Sequence, residues 1–197
     1  MRHLILLVVT LALFAPVVAH ADPAFGEKLA KAAVDLTRQN VVYDGSYYRI
    51  PYPNGDVPPH VGVCADVIIR AYRKLGVDLQ QRVHEDMQAH FGLYPHLWGM
   101  KGTDTNIDHR RVPNLRVFFA RHGRSLPVST NADYRQGDIV SWNLKKQGSL
   151  PHIGIVSNVM SADGKRPLMV HNIGEGQKLE DMLFDYTITG HYRYAGE

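Results

Sequence analysis

The side chains best suited to covalent chemistry in this 197-residue sequence are its one cysteine and some of its eleven histidines. Cys64 falls in the first turn of a predicted helix, where unpaired backbone N–H groups and the helix dipole favour a thiolate and lower a thiol pKa. His152 opens a predicted strand, and His171 closes the next one. A thiol, a histidine and a polar group that orients the histidine make an activated nucleophile, so the pattern indicates cysteine-dependent catalysis.

The N-terminus indicates export. Arg2 and His3 precede an uncharged apolar run over residues 4–18, which Ala19-His20-Ala21 follows. A basic start, a short apolar run and an A-x-A site are typical of a secretory signal peptide. A transmembrane anchor would need about 20 apolar residues, more than this run provides. We therefore expect cleavage after Ala21 and a periplasmic or secreted mature chain, residues 22–197, without a transmembrane segment.

Export gives the single cysteine two possible roles. It cannot form an intramolecular disulfide, and an unpaired thiol in an oxidising compartment can be a reactive group. The alternative is a buried small hydrophobic residue, since free cysteines are among the most buried residue types.

The periodicity of the sequence changes from helical to strand-like along the chain. Apolar residues at helical spacing predict helices over residues 24–38, 63–75, 83–90 and from Pro113 to Gly123. Short stretches rich in Val, Ile and aromatic residues predict strands over residues 137–144, 152–160, 167–172 and 188–194. Helices followed by strands indicate one α+β domain with an antiparallel sheet.

Composition argues against several other classes of site. Without Arg2 the formal net charge falls from +3 to about +2, and no basic run is interleaved with aromatics, so we expect no nucleic acid partner.

The spacing of the histidines and acidic residues does not fit a metal site. His84 and His90 are six residues apart and do not share a helix face, and His109 replaces the glycine that a calcium loop beginning at Asp104 would need. We expect no metal, no cofactor and a monomer.

Short motifs in a consistent order carry a family resemblance. The nucleophile segment is Gly62–Asp66, the strand-opening motif Gly137–Val140, the histidine strand His152–Val156 and the third-residue strand Val170–Asn172, with a tyrosine-rich loop ending at Tyr52–Val57. Together they resemble the NlpC-like peptidases and amidases, papain-like cysteine hydrolases of bacterial cell walls. Within that superfamily the chain resembles an uncharacterised exported family.

The resemblance implies a papain-like fold and hydrolysis of amide bonds in peptidoglycan peptides through a thioester acyl-enzyme. It implies Cys64 as nucleophile, His152 as base and His171 as the group that orients His152, with Asn172 chemically as suitable for that last role. A tyrosine hydroxyl of Tyr48 or Tyr52 would join the Cys64 N–H as oxyanion donor.

Three further residues are expected at the substrate. Asp66 follows the nucleophile, and His109 and Arg110 belong to a basic cluster that could bind a substrate carboxylate. Relatives place Asp before the cysteine and Ser-Gly after it, so Val63 and Ala65 here weaken the expectation that a free peptide amine is required. The long interval between Cys64 and His152 predicts an insertion over residues 79–135 that reshapes the cleft.

The function of the chain has two alternatives to a cell-wall amidase. One is a papain-like acyl hydrolase or transferase with another substrate. The other is a wall-binding module in which Cys64 is inert.

Hairpin geometry gives a testable expectation for His171. A tight turn at Asp163-Gly164 would place His171 roughly 13 Å along the strand from His152. We therefore expect a longer loop centred near Ser161–Ala162, with His171 opposite His152 and within hydrogen-bonding reach of it.

Overall fold

The structure, a computed structural model, describes residues 23–197 and is a mixed α+β arrangement of four α-helices and an antiparallel sheet. The predicted signal peptide lies outside the described residues. The helices are α1 (Pro23–Leu36), α2 (Cys64–Arg73), α3 (Leu79–Ala89) and α4 (Val112–His122), with short 3₁₀ turns at Phe91–Leu93 and Asp108–Arg110. The strands are β1 (Val42–Tyr43), β2 (Val61–Gly62), β3 (Arg124–Ser125), β4 (Ile139–Asn143), β5 (Pro151–Met160), β6 (Pro167–Asn172), β7 (Gln177–Glu180) and β8 (Thr187–Arg193).

Six of the strands form the main sheet, in the order β3-β8-β4-β5-β6-β7, with every pairing antiparallel. The two-residue strands β1 and β2 pair in parallel on their own. This confirms the predicted class, helices from the first part of the chain against an antiparallel sheet from the second. Among residues 23–197 none of the helices has the length and hydrophobicity needed to cross a bilayer.

The larger core lies between the helices and one face of the sheet. Helix α2 is almost entirely buried there, and Ile153 and Ile155 of β5 point into the same core. Side chains alternate along a strand, so His152 and Val156 face the other side, where Trp142 and Met169 build a second, smaller core. Strand β5 is therefore buried on both faces, and both of its rows of side chains hold fixed positions.

Candidate active site

Cys64 is the first residue of α2, and its thiol lies against the backbone of β5. The N–H groups of Ile153, of Ala65 and of Cys64 itself lie close enough to the sulfur to stabilise negative charge on it. Asp66 closes the helix start, because its carboxylate accepts the Val63 N–H at 2.7 Å. The predicted placement of the thiol at a helix N-terminus is confirmed. The thiol also lies next to Ile153, the residue that follows His152.

The predicted lowering of the thiol pKa is wrong. Burial raises the pKa of Cys64 to about 12, the Asp66 carboxylate raises it further, and the neighbouring backbone N–H groups only partly oppose this. Cys64 is 5% exposed, so a thiolate would lose most of its hydration, and that loss exceeds the stabilisation from the helix N-terminus. The cysteine therefore rests as a neutral thiol.

The contact expected between the two histidines is confirmed. His152 Nε2 lies 3.1 Å from His171 Nδ1, and both rings are buried. Burial, with a smaller contribution from the neighbouring His171, lowers the pKa of His152 to about 3, so His152 is a neutral imidazole. Burial also lowers the pKa of His171. A neutral imidazole can accept a proton, which is the role that the sequence predicts for His152.

Glu180 extends the histidine pair and was missed by the sequence analysis. His171 Nε2 lies 2.9 Å from Glu180 Oε2, so a neutral imidazole can turn its ring N–H toward the carboxylate, although the group is not aimed squarely at the oxygen. A carboxylate there favours a proton on Nε2 of His171, which leaves Nδ1 to accept from His152 Nε2. In that tautomer the remaining nitrogen of His152, Nδ1, carries a lone pair.

The register that brings the histidines together differs from the one expected. Strand pairing of Ile155 with Val170 places His171 opposite Gly154, two residues from the position opposite His152. The turn is centred at Asp163-Gly164, because the Ser161 N–H donates to the Arg166 carbonyl at 2.8 Å. A bulge between Val156 and Met160 then shifts the pairing. The expected longer loop is wrong, and the bulge supplies the shift instead.

Gly154 lets the two imidazoles meet diagonally. A Cβ at this position would lie 2.9 Å from the Val170 carbonyl oxygen, 3.2 Å from His171 Cβ and 3.3 Å from the Trp142 ring. The missing side chain therefore leaves the space through which His171 leans toward His152.

Asn172 does not orient His152. Its side chain is fully buried and donates to the Gly62 carbonyl at 3.3 Å, while its oxygen accepts the Gly174 N–H. Asn172 points to the helix side of the sheet, opposite to His171, because neighbouring side chains alternate. It ties β6 to the segment that leads into Cys64, so its assignment to substrate binding is corrected to a structural role.

Arg110 and Asp66, both expected at the substrate, bind each other, and of the two only Arg110 lines the cavity described below. Arg110 Nε and Nη2 each lie 3.0 Å from an Asp66 carboxylate oxygen, and both side chains are buried. Arg110 also donates to the carbonyls of Ser46 and Asp44. This buried pair fastens the tyrosine-rich loop to α2, close to the nucleophile.

The remaining three residues expected at the substrate lie outside the cavity that Cys64 borders. The Tyr48 hydroxyl donates to Asp44, and Tyr52 packs edge-on against His84 at 5.2 Å between ring centroids. His109 is buried, and burial lowers its pKa to about 3, with further lowering from Arg110 and Arg73. These contacts give the three residues structural roles, so their expected contact with substrate is corrected.

An open cavity of about 500 Å³ reaches the thiol. Its lining residues are Tyr43, Gly45, Tyr47, Val63, Cys64, Trp98, Ile107, Arg110, Arg111, Val112, Pro113, Leu150 and Pro151. Six of these come from the segment 79–135, which therefore supplies one wall of the cleft. The sequence analysis chose Tyr48 and Tyr52, whereas Tyr43 and Tyr47 line the cavity. The path of the loop backbone decides which of these phenols reach the cavity, and the sequence does not show that path.

The thiol and the predicted base lie on opposite faces of β5. Cys64 packs with Ile153 in the larger core, whereas His152 faces the side of Trp142 and does not line the cavity. Within residues 23–197 no hydrogen bond connects Cys64 to His152, since His152 Nε2 faces His171. Chemically, the arrangement offers a neutral thiol at a cavity and, across the strand from it, a neutral imidazole in a polar chain that runs through His171 to a carboxylate.

Comparison with known proteins places the chain in a family. The family model described as a domain of unknown function, DUF1287, matches residues 30–194. The chain belongs to the DUF1287 family. A relative from Escherichia coli strain K12, "Uncharacterized protein YijF", is 51% identical over 168 aligned residues, and the match covers 83% of this chain and 80% of the relative.

The family assignment corrects the resemblance drawn from the motifs. The match to DUF1287 replaces the NlpC-like peptidase family, and nothing in the comparisons places the chain in the papain superfamily. No solved structure matches the chain significantly, so the papain-like fold implied by the resemblance has no support. The motifs were misleading because they consist of few residues. Unrelated families can share a cysteine at the start of a helix and histidines on paired strands.

Proposed function

We propose that this protein is a cysteine hydrolase that cleaves amide bonds through a thioester on Cys64. The observation that carries the proposal is the pair of buried histidines, 3.1 Å apart, the first of which directly precedes Ile153, whose backbone N–H lies next to the thiol. Two imidazoles that burial keeps neutral are costly in a core unless they have partners, and here each has one. Such an arrangement is suited to taking a proton from a nucleophile.

In the proposed reaction His152 acts as a general base toward a neutral thiol. The reaction requires the His152 ring to turn from the His171 side of β5 toward the thiol as the substrate carbonyl enters the cavity. Nδ1 of His152 then takes the thiol proton while the sulfur–carbon bond forms. Backbone N–H groups at the start of α2 stabilise the oxyanion. The imidazolium returns its proton to the leaving amine, the carbon–nitrogen bond breaks and a thioester remains. Water, deprotonated by His152, then releases the carboxylic acid and the thiol.

Export and a peptide substrate complete the proposal. The basic and apolar segment of residues 1–21 supports export, and an open cavity with aromatic walls suits an extended peptide. With the family assignment corrected, peptidoglycan peptides are proposed on the ground of export alone. They remain the first substrate to test.

The proposal is tested with purified wild type and Cys64→Ser on isolated peptidoglycan sacculi. Wild type should release new amines and carboxylates, detected by mass spectrometry, and the variant should lose about a thousandfold in rate, because a hydroxyl is a far weaker nucleophile than a thiol. His152→Ala should lose a similar amount. His60→Ala, at an exposed histidine outside the site, is the matched control and should keep full activity.

A second function, binding without catalysis, is favoured by one observation, the burial that raises the thiol pKa to about 12. A binding module would retain its affinity for sacculi in Cys64→Ser and release no product in either form. Equal product release by wild type and Cys64→Ser would overturn the nucleophile itself.

A further inference from the structure

Arg111 is a cation of the cavity wall that has no carboxylate partner among residues 23–197. Its guanidinium carbon lies 4.8 Å from the centroid of the Trp98 ring, and Nη1 lies 3.1 Å from the Met100 sulfur. The neighbouring Arg110, by contrast, has both edges of its guanidinium occupied by Asp66 and loop carbonyls. Arg111 is thus the one arginine of the described cavity whose hydrogen-bonding capacity is largely unused.

Its surroundings favour an anionic ligand. A thioether is a weak acceptor, and an indole face attracts a guanidinium without using its N–H groups. Asp104 feels the charge of Arg111, which contributes to lowering the Asp104 pKa. The Asp104 carboxylate is already engaged by the Tyr47 hydroxyl at 3.0 Å and by the amides of Asn106. Apart from the contact of Nη1 with Met100, the N–H groups of Arg111 therefore have no recorded acceptor among residues 23–197, and Arg111 lines a largely apolar cavity.

We propose that Arg111, held against Trp98, binds a carboxylate of the substrate. This inference rests on the proposed hydrolase function and names its substrate class: amides and peptides that carry a carboxylate near the bond to be cleaved. The planar guanidinium matches a carboxylate in a bidentate pair, and a single cation balances its one negative charge. Trp98, 63% exposed and with a positive φ of 57°, forms the outer wall of this subsite.

The size of the cavity limits how far the carboxylate can be from the scissile bond. A sphere of about 500 Å³ is roughly 10 Å across, and an extended residue covers about 3.5 Å. Since Cys64 and Arg111 line the same cavity, the carboxylate belongs within two or three residues of the bond attacked by the thiol.

Matched alkylating probes test the subsite without a known substrate. The acids bromoacetyl-glycine and bromoacetyl-glycylglycine are compared with their neutral amides at pH 9. In each reaction the Cys64 sulfur bonds to the probe carbon, bromide leaves and the thiol proton passes to the base. For whichever of the two acids reacts faster, wild type should react about tenfold faster with the acid than with the corresponding amide. The reason is that a charge-assisted pair with Arg111 raises the fraction of protein that holds the probe next to Cys64.

Two variants separate a bound carboxylate from general electrostatic attraction. Arg111→Met removes the guanidinium and keeps an unbranched side chain, and it should abolish the preference for the acid, measured as the ratio of the acid rate to the amide rate within the same variant. Lys101→Met removes an equal charge from an exposed neighbour outside the cavity lining and should keep the preference. Equal loss in both variants, or no preference in wild type, would overturn the subsite.

A binding measurement keeps this test independent of the thiol. Acetyl-glycine should quench the fluorescence of Trp98 in Cys64→Ser, acetyl-glycinamide should not, and Trp98→Phe should remove the signal. If Cys64 resists every probe yet acetyl-glycine binds, the subsite stands and the hydrolase function fails. If acetyl-glycine does not bind, or binds equally well after Arg111→Met, the subsite is overturned whether or not Cys64 reacts.

Discussion

At the scale of single residues, the pKa of the Cys64 thiol is shifted in the opposite direction from the one that its position at a helix N-terminus suggested. A helix N-terminus contributes a partial charge, whereas removing a sulfur anion from water costs more, so the sign of the pKa shift is set by burial. The base is affected in the same direction, since burial favours neutral His152. Both effects oppose a resting thiolate–imidazolium pair, so in the proposed reaction the proton moves only as the sulfur attacks.

The first prediction concerns the reactivity of Cys64 toward iodoacetamide as a function of pH. Because its pKa is raised to about 12, native Cys64 should react more slowly than free cysteine at pH 6 to 8. Its rate should still be rising at pH 10, where a free thiol has reached its plateau. The rate is measured by mass spectrometry of the alkylated peptide, with urea-unfolded protein as control. A plateau already present at pH 6 would show a preformed thiolate and contradict the structure.

The second prediction concerns Glu180 as a positioning residue. Glu180→Gln removes the charge that favours a proton on His171 Nε2, so His152 presents the correct nitrogen less often. We expect kcat to fall about tenfold with KM unchanged, and the ring N–H signal of His171 to shift in the proton NMR spectrum. Glu175→Gln, in the turn before β7 and paired only with Lys178, is the control and should change neither.

At the scale of elements, the four longest strands of the described residues, β4, β5, β6 and β8, were predicted, whereas the shorter strands and the register of the β5–β6 hairpin were not. The bounds of β6, residues 167–172, match the prediction because a run of apolar residues ends there at turn residues on both sides. The short polar strand β7 has no alternating pattern, so the sequence could not show it or the carboxylate of Glu180 that it carries. The bulge in β5 also has no local signature, and it decides which residue faces His171.

The third prediction tests the space between the histidines. Gly154→Ala should destabilise the fold by about 1–3 kcal/mol, because the new Cβ would contact a backbone carbonyl and the Cβ of His171. Activity should fall further than this loss of stability explains, since His171 is pushed from His152. Chemical unfolding and the rate are measured together. Gly102→Ala, where a Cβ meets nothing within 4 Å, is the control and should leave both unchanged.

At the scale of the whole molecule, the fold contains histidines that must stay neutral. Burial lowers the pKa of His109 and of His152 to about 3, and it also lowers that of His171. A histidine whose pKa is lowered on folding stabilises the native state above its unfolded pKa of about 6.5, and this contribution is lost as the pH falls toward the folded value.

The fourth prediction follows for acid stability. Between pH 7 and pH 5 each of His109 and His152 should cost about 2 kcal/mol of the free energy of unfolding, as measured by urea titration. His109→Gln should reduce this loss by about that amount, since glutamine does not titrate. His60→Gln, at an exposed position, should leave the pH dependence as in wild type. A stability that is constant from pH 7 to 5 would contradict the buried neutral histidines.

The bulge in β5 also separates the tip of the β5–β6 hairpin from the half that carries the histidines. Residues 161–166 close on themselves through the Ser161–Arg166 backbone bond and the Gly164–Ser161 turn. A change in the length of this tip can be absorbed at the bulge before it reaches Ile155 and Val170. The tip is therefore a suitable attachment point for an epitope or a fluorophore, by which the protein could be followed in living cells with its histidine pair undisturbed.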